Sequence, residues 1–278
     1  MDQWASVARA CAGFMKMKVE VLLSCMFQQD IFSLIEKTNI RTDALVVNQC
    51  DFNGKESFEF VNDAGKKCMV RIIHTTERGL SRSRNMAMQN ASGDLCLFCD
   101  DDIVLENDYE ESIIDAFAKY PDEAILAFRI NYSRRQCSEH TFKVGILNAA
   151  RISSVQIVFK RSRLNGSILF CEKMGSGSGN GGGEENKFLV DCIKSGHSVR
   201  YVPSLILTVC QSDSLWFHGF DKRYWRNRGW TAKMIYGSCL GYLYLWYTLV
   251  FRCYRIDKNH HWYNHLIWLH AGFFDNRN

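Results

Sequence analysis

From Val19 onward, apolar runs of strand length alternate with helical patterns, and no other feature narrows the fold of this 278-residue chain so far. The runs are VEVLLSC (19–25), ALVVN (44–48), VRIIHT (70–75), DLCLFC (94–99) and AILAFRI (124–130). Between them the spacing predicts helices near Ile31–Lys37, from Leu80 and near Tyr109–Tyr120, with a turn at DFNG (51–54). Such alternation predicts an α/β fold, with a mainly parallel central sheet covered by helices on both faces. Sheets of this kind collect ligands at the carboxyl ends of their strands. After Ile130 the pattern is richer in strands (TFKVGIL, SVQIVF), then a glycine-dominated loop at 175–183, a helix from Glu184 and a short strand VRYVP.

The hydrophobic share of 47% suffices for a full core and excludes a disordered chain. Only Pro121 and Pro203 occur, both in turns, so no proline-rich linker divides the molecule. We read 18–215 as one domain, 1–17 as a short helical leader and 216–278 as a basic, aromatic, helical C-terminal extension. The leader's first apolar stretch is broken by Arg9 and Lys16, which does not suit a signal peptide. Met234–Phe251 carries no charge over eighteen residues, the lower length limit for a membrane span. Its glycines, serine and four tyrosines favour instead a helix lying at a membrane surface, with peripheral contact through 222–255. Twelve cysteines spread through a chain of this size, with Cys25, Cys96 and Cys99 inside apolar runs, suit a reducing cytosol better than a disulfide scaffold.

The segment DLCLFCDDDIVL brings three consecutive aspartates, Asp100, Asp101 and Asp102, to the end of a buried strand. That much negative charge beside apolar residues is costly unless a cation neutralises it. Carboxylate oxygens suit Mg²⁺ or Mn²⁺, which commonly complete their shell with substrate phosphates. On an extended backbone Asp100 and Asp102 share a side and Asp101 opposes them; capping of the following turn is the plainer alternative. Just upstream, ERGLSRSRNMAMQNASGD places Arg82, Arg84 and Asn85 in the first turns of a helix, where guanidinium groups and helix amides attract phosphate.

Taken together, Gly79, Ser83-Arg84-Asn85, Ala91-Ser92-Gly93-Asp94, the strand Leu95–Cys99 and Asp100-x-Asp102 resemble the family 2 nucleotide-sugar glycosyltransferases of GT-A fold, as used in bacterial surface-polysaccharide assembly. The likeness is close over 70–105 and looser over 18–69 and 120–200. It implies an inverting transfer from a nucleotide-diphosphate sugar, UDP-sugar favoured, to a glycan or polyprenyl-linked acceptor, at the cytoplasmic side of a membrane. It further implies Asp102 as ligand of Mn²⁺ or Mg²⁺, Asp100 at the donor ribose or the metal, and Arg84 and Asn85 near the diphosphate. Ser24, Gln28, Asp30 and Asp51 are candidate donor contacts in the first two strand-end loops, or simply turn residues. His218 is a candidate at the metal, as in some GT-A enzymes.

Glu184 and Glu185 open a helix after GSGSGNGGG (175–183), a stretch that suits a mobile lid. The resemblance makes Glu185 the first choice of general base and Glu184 the second, although acids in a first turn also suit the helix dipole. Cys96-x-x-Cys99 lies within a strand, where positions three apart face opposite sides, so both read as core. His261 and His265 stand one helical turn apart but lack acidic or thiol neighbours in sequence. The basic and aromatic residues from Arg223 to Lys233 suit anionic lipid or a lipid diphosphate better than nucleic acid. Two other readings stay open: a nucleotidyltransferase, and a non-catalytic carbohydrate-binding protein on the same fold.

Overall fold

The computed structural model describes residues 17–133, 136–164, 166–210, 219–253 and 260–277. The first strand, β1 (Val19–Met26), is followed by α1 (Ile31–Lys37), β2 (Asp43–Gln49), β3 (Gly54–Val61), β4 (Lys67–Thr75) and α2 (Leu80–Asn90). Then come β5 (Leu95–Asp100), β6 (Ile103–Leu105), α3 (Tyr109–Lys119), β7 (Ile125–Asn131), β8 (Phe142–Lys143) and β9 (Ile157–Lys160). The last elements are α4 (Glu184–Lys194), β10 (Val199–Val209), α5 (Lys222–Thr248) and α6 (Trp262–Phe273). The strands form one sheet in the order β3-β4-β2-β1-β5-β9-β7-β10-β6, with β8 paired to β10.

Strand alternation sorts the core into two faces. On β1, Val19, Val21, Leu23 and Cys25 pack with Ile31 and Leu34 of α1 and with Ile113 and Phe117 of α3. Leu22, Cys96 and Phe98 point the other way, onto Ala87 of α2, Phe188 of α4 and Trp230 of α5. The sheet is thus covered on both faces, as expected, and Cys96 and Cys99 lie in opposite halves of the core. The central β4-β2-β1-β5 strands run parallel, as do β7 and β10. Antiparallel β9 joins these two groups.

Several elements differ from expectation. The DFNG turn leads into an additional edge strand, β3, antiparallel to β4. TFKVGIL contributes only the two-residue β8, and SVQIVF starts as a short 3-10 turn at Ser154–Gln156 before β9. VRYVP opens an eleven-residue strand whose register with β7 shifts between Val202 and Leu205. Pro203 lies in that gap, and its missing N–H cannot donate to the ladder there.

The C-terminal helices are folded back on themselves. Gly237 (φ 78°, ψ −171°) breaks α5 into limbs 222–236 and 238–248. A Cβ at Gly241 would lie 2.7 Å from the Ala232 carbonyl oxygen, so the second limb runs back along the first. Against the first limb, a Cβ on Gly229 would stand 2.0 Å from Leu269 O, and one on Gly272 1.9 Å from Arg226 O. Only glycine permits so close an approach of α6 to α5.

Candidate active site

Asp100 ends β5 on the same face as Cys96 and Phe98, because residues two apart share a side. On that face α2 delivers Arg84, which is 2% exposed and caught between two carboxylates. Its Nη2 donates to Asp100 Oδ1 (3.1 Å) and to Ser154 Oγ (2.8 Å), and its Nη1 donates to Glu184 Oε1 (3.0 Å). Burial alone would weaken the guanidinium's hold on its proton, but Asp100 and Glu184 outweigh it and raise the pKa above the ordinary value. One side chain therefore joins the helix, the aspartate strand and the glutamate pair.

Past Asp100 the strand ends, and Asp101 and Asp102 occupy a turn before β6. The strict alternation expected across the three aspartates consequently stops at the first. Burial and then the charge of Asp100 raise the pKa of both following carboxyls. Gln28 hydrogen-bonds the Asp101 side chain, and the Asp101 carbonyl accepts from Lys37 Nζ (3.2 Å). The Asp102 carbonyl accepts from Cys210 N (3.0 Å), tying the turn to the end of β10.

The glutamates divide in environment. Glu184 is buried, paired with Arg84, and accepts from Gly183 N (3.1 Å). Glu185 keeps partial contact with solvent, and burial together with the charge of Glu184 pushes its carboxyl upward. The loop before them is pinned along its length, in contrast to the free lid suggested by its composition. Leu80 N donates to Ser176 O (2.9 Å), Thr231 Oγ1 to Gly182 O (3.2 Å), and Arg277 Nη1 to Asn180 Oδ1 (3.3 Å). Its glycines allow close approach: a Cβ on Gly177 would be 3.0 Å from Gly79 Cα, and one on Gly181 2.7 Å from Thr231 Oγ1.

Other expected residues hold the frame. Asn85 spends both ends of its amide on the Phe170 backbone (3.0 and 2.7 Å), so in this structure it anchors that loop. Asp30 caps α1 by accepting from Ser33 N (2.9 Å). Ser24 Oγ, at the end of β1, is bonded by Ser83 Oγ of α2 (2.8 Å). At the start of α2, Gly79 N donates to Gln49 Oε1 (2.7 Å) and Leu80 N to Ser176 O of the loop (2.9 Å). His218 lies outside the described residues.

Gln28 and Asp51 do reach a common cleft of about 550 Å³, lined also by Phe27, Cys50, Phe52 and His74 at the carboxyl ends of β1, β2 and β4. Arg78 Nη2 donates to Asp51 Oδ1 (2.8 Å), and its guanidinium lies 5.1 Å from the centre of the Phe27 ring. The Phe52 and His74 rings are 4.6 Å apart, and His74 Nε2 meets Glu56 Oε1 at 2.8 Å. Arg78, Phe52 and His74 were not singled out from sequence, although His74 and Arg78 stand just where strand β4 runs out toward α2. A second cleft of about 630 Å³ opens beyond the aspartates, at the end of β7, where Arg129, Asn131, Tyr132 and Glu139 gather. Among the described residues, no group of three or more His, Cys, Asp or Glu side chains is arranged to enclose a metal ion.

This geometry defines a GT-A α/β domain with an acidic strand end between two clefts. Known structures agree: S. aureus TarS 1–349 superposes with a TM-score of 0.55 at 14% identity, covering 86% of this chain and 74% of that one. The same TarS fragment in complex with UDP-GlcNAc gives 0.53 at 14% identity, over 81% and 68%. No curated protein matches the sequence. Residues 31–158 match the family described as Glycosyl transferase family 2. That segment, a little under half of the chain, is what the sequence shares with the family 2 glycosyltransferases.

Proposed function

We propose that the chain is an inverting, metal-dependent glycosyltransferase that takes a sugar from a UDP-sugar and delivers it to a glycan or polyprenyl-linked hydroxyl. The observation that carries this reading is Arg84 bridging Asp100 and Glu184, which sets the acidic strand end beside the glutamate pair. TarS has been solved with UDP and with UDP-GlcNAc, which favours a uridine donor here. The nucleotide base would enter the cleft at Gln28, Asp51, Phe52 and His74, where an aromatic wall and polar edges suit a flat heterocycle.

The donor set suits Mn²⁺ or Mg²⁺: two carboxyls, Asp101 and Asp102, are crowded with Asp100, and such ions need one or two carboxylates plus phosphate oxygens. Asp102 would hold the ion with Asp101 beside it, while Asp100 in this structure is turned to Arg84. When bound, the ion neutralises the developing charge of the diphosphate leaving group. Arg84 contributes as the brace of the carboxylates, since its own charge is already matched. Glu185, the less committed of the pair, would take the acceptor hydroxyl proton as the new glycosidic bond forms. A carboxyl raised toward neutral pH is the better base for that step. Among the described residues all eleven cysteines are free, which suits a cytoplasmic site of action.

Thermal melting with a panel of nucleotide sugars, with and without Mn²⁺, tests the reading. A uridine nucleotide plus Mn²⁺ raises the melting temperature of the parent, and Asp102→Ala removes that gain. Stabilisation by UDP that is identical in chelator and in Mn²⁺ contradicts the metal assignment.

A further inference from the structure

The large apolar side chains left uncovered by this fold concentrate at its C-terminal end. On the second limb of α5 and the turn after it, Leu240, Leu243, Tyr247 and Val250 are all exposed, Leu243 at 65%. Their spacing of three, four and three residues keeps them within one face, while Gly241, Leu245 and Thr248 turn inward. On α6, Trp262 and Ile267 are exposed at 67% and 60%. The two helices lie side by side there, with Trp246 5.8 Å from His270 and Tyr242 6.3 Å from Phe274. Soluble monomers seldom leave a patch of this extent open.

Its chemistry identifies the partner. Between Lys222 and Cys253 the chain has six Lys or Arg and no Asp or Glu, so the flanks of the patch attract anions. Exposed Trp246, Tyr247, Trp262 and Tyr263 offer apolar rings with one polar atom each, the side chains that settle at headgroup depth. Length and composition alone would let Lys222–Cys253 cross a bilayer. The break at Gly237 forbids it: the limbs 222–236 and 238–248 are about 22 and 16 Å long at ~1.5 Å per residue, and even with the turn 249–253 the second stays short of a ~30 Å hydrocarbon core. They also run antiparallel and in contact, with Gly241 against Ala232. We infer that the α5–α6 hairpin is a monotopic docking surface for an anionic lipid bilayer, its apolar stripe sunk at the acyl boundary and its basic residues at the phosphates. This holds whatever sugar the enzyme transfers.

Co-sedimentation of the full chain with vesicles tests it, using phosphatidylcholine alone or mixed with phosphatidylglycerol. The parent protein binds the mixed vesicles and binds the neutral ones more weakly, with a blue shift of tryptophan emission. Replacing exposed Arg252 by Gln lowers the partition constant about fivefold, the factor for one basic residue near an anionic surface. Leu243→Ser together with Ile267→Ser lowers it about tenfold or more, as two buried apolar side chains would. Far-UV circular dichroism and the melting temperature stay at parent values, because both positions are exposed. Unchanged partitioning of the double variant overturns the proposal. So does a stable dimer in lipid-free solution that the double variant splits, since the patch would then belong to a second copy of the chain.

Discussion

Arg84 carries more of the site than any other side chain, because it is buried among carboxylates that would otherwise face one another. Replacing it by Ala leaves Glu184 buried and unpaired and removes the cation beside Asp100. Breaking a buried pair of this kind costs about 3 kcal/mol or more, reduced here on the partly exposed Asp100 side. Urea unfolding of Arg84→Ala should show that loss, with Arg84→Lys intermediate because an ammonium cannot span both partners. Glu185 supplies the complementary case. Its carboxyl is raised in the folded protein, so folding favours its protonated form. The stability it contributes is complete below the unfolded carboxylate pKa and is lost as pH rises through the folded value. Glu185→Gln should therefore flatten the fall in melting temperature toward alkaline pH while lowering kcat about 10²-fold or more, the usual contribution of a general base. A variant that keeps parental turnover removes Glu185 from catalysis.

At the scale of elements, the turn before β5 decides whether the aspartates arrive in register. Glu20 of β1 accepts from Ser92 N (2.6 Å) and Gly93 N (2.8 Å) and pairs with Arg71 at 2.6 Å. A Cβ on Gly93 would lie 2.5 Å from Glu20 Cβ and 3.0 Å from Glu20 N, so Gly93→Ala must push β1 and β5 apart. We expect a loss of about 2 kcal/mol in unfolding free energy, in the range of overpacked cores. The parallel core was legible because its strands are apolar on both faces and its helices amphipathic, signals that lie in neighbouring residues. The Asp100–Arg84–Glu184 link was legible only as three separate motifs, since separations of 16 and 100 residues leave no local trace of contact. β3 was missed because an exposed edge strand of mixed polarity lacks a clean period. The loop at 175–183 read as mobile because glycine marks both flexibility and close packing, and only the partners, Gly79 and Thr231, distinguish the two.

For the molecule as a whole, the same C-terminal helices that expose the apolar stripe also support the glycine loop at 175–183. Thr231 and Asn227 on the first limb of α5 lie against Gly181, Arg277 beyond α6 binds Asn180 and Asn227, and Glu184 follows directly from that loop. A disturbance between α5 and α6 should then reach the glutamates without touching a site residue. Gly272→Val tests this, since even a Cβ at that position would stand 1.9 Å from Arg226 O and the helices must separate. We expect faster proteolysis within 219–277 and a fall in kcat larger than the change in donor affinity, because Asn180, Gly181 and Gly182 are held by α5 and Arg277, whereas the cleft at Phe52 and His74 is built at the ends of β1, β2 and β4. If cleavage accelerates while kcat stays at the parental value, the C-terminal helices act as an appendage and the loop is held by α2 alone.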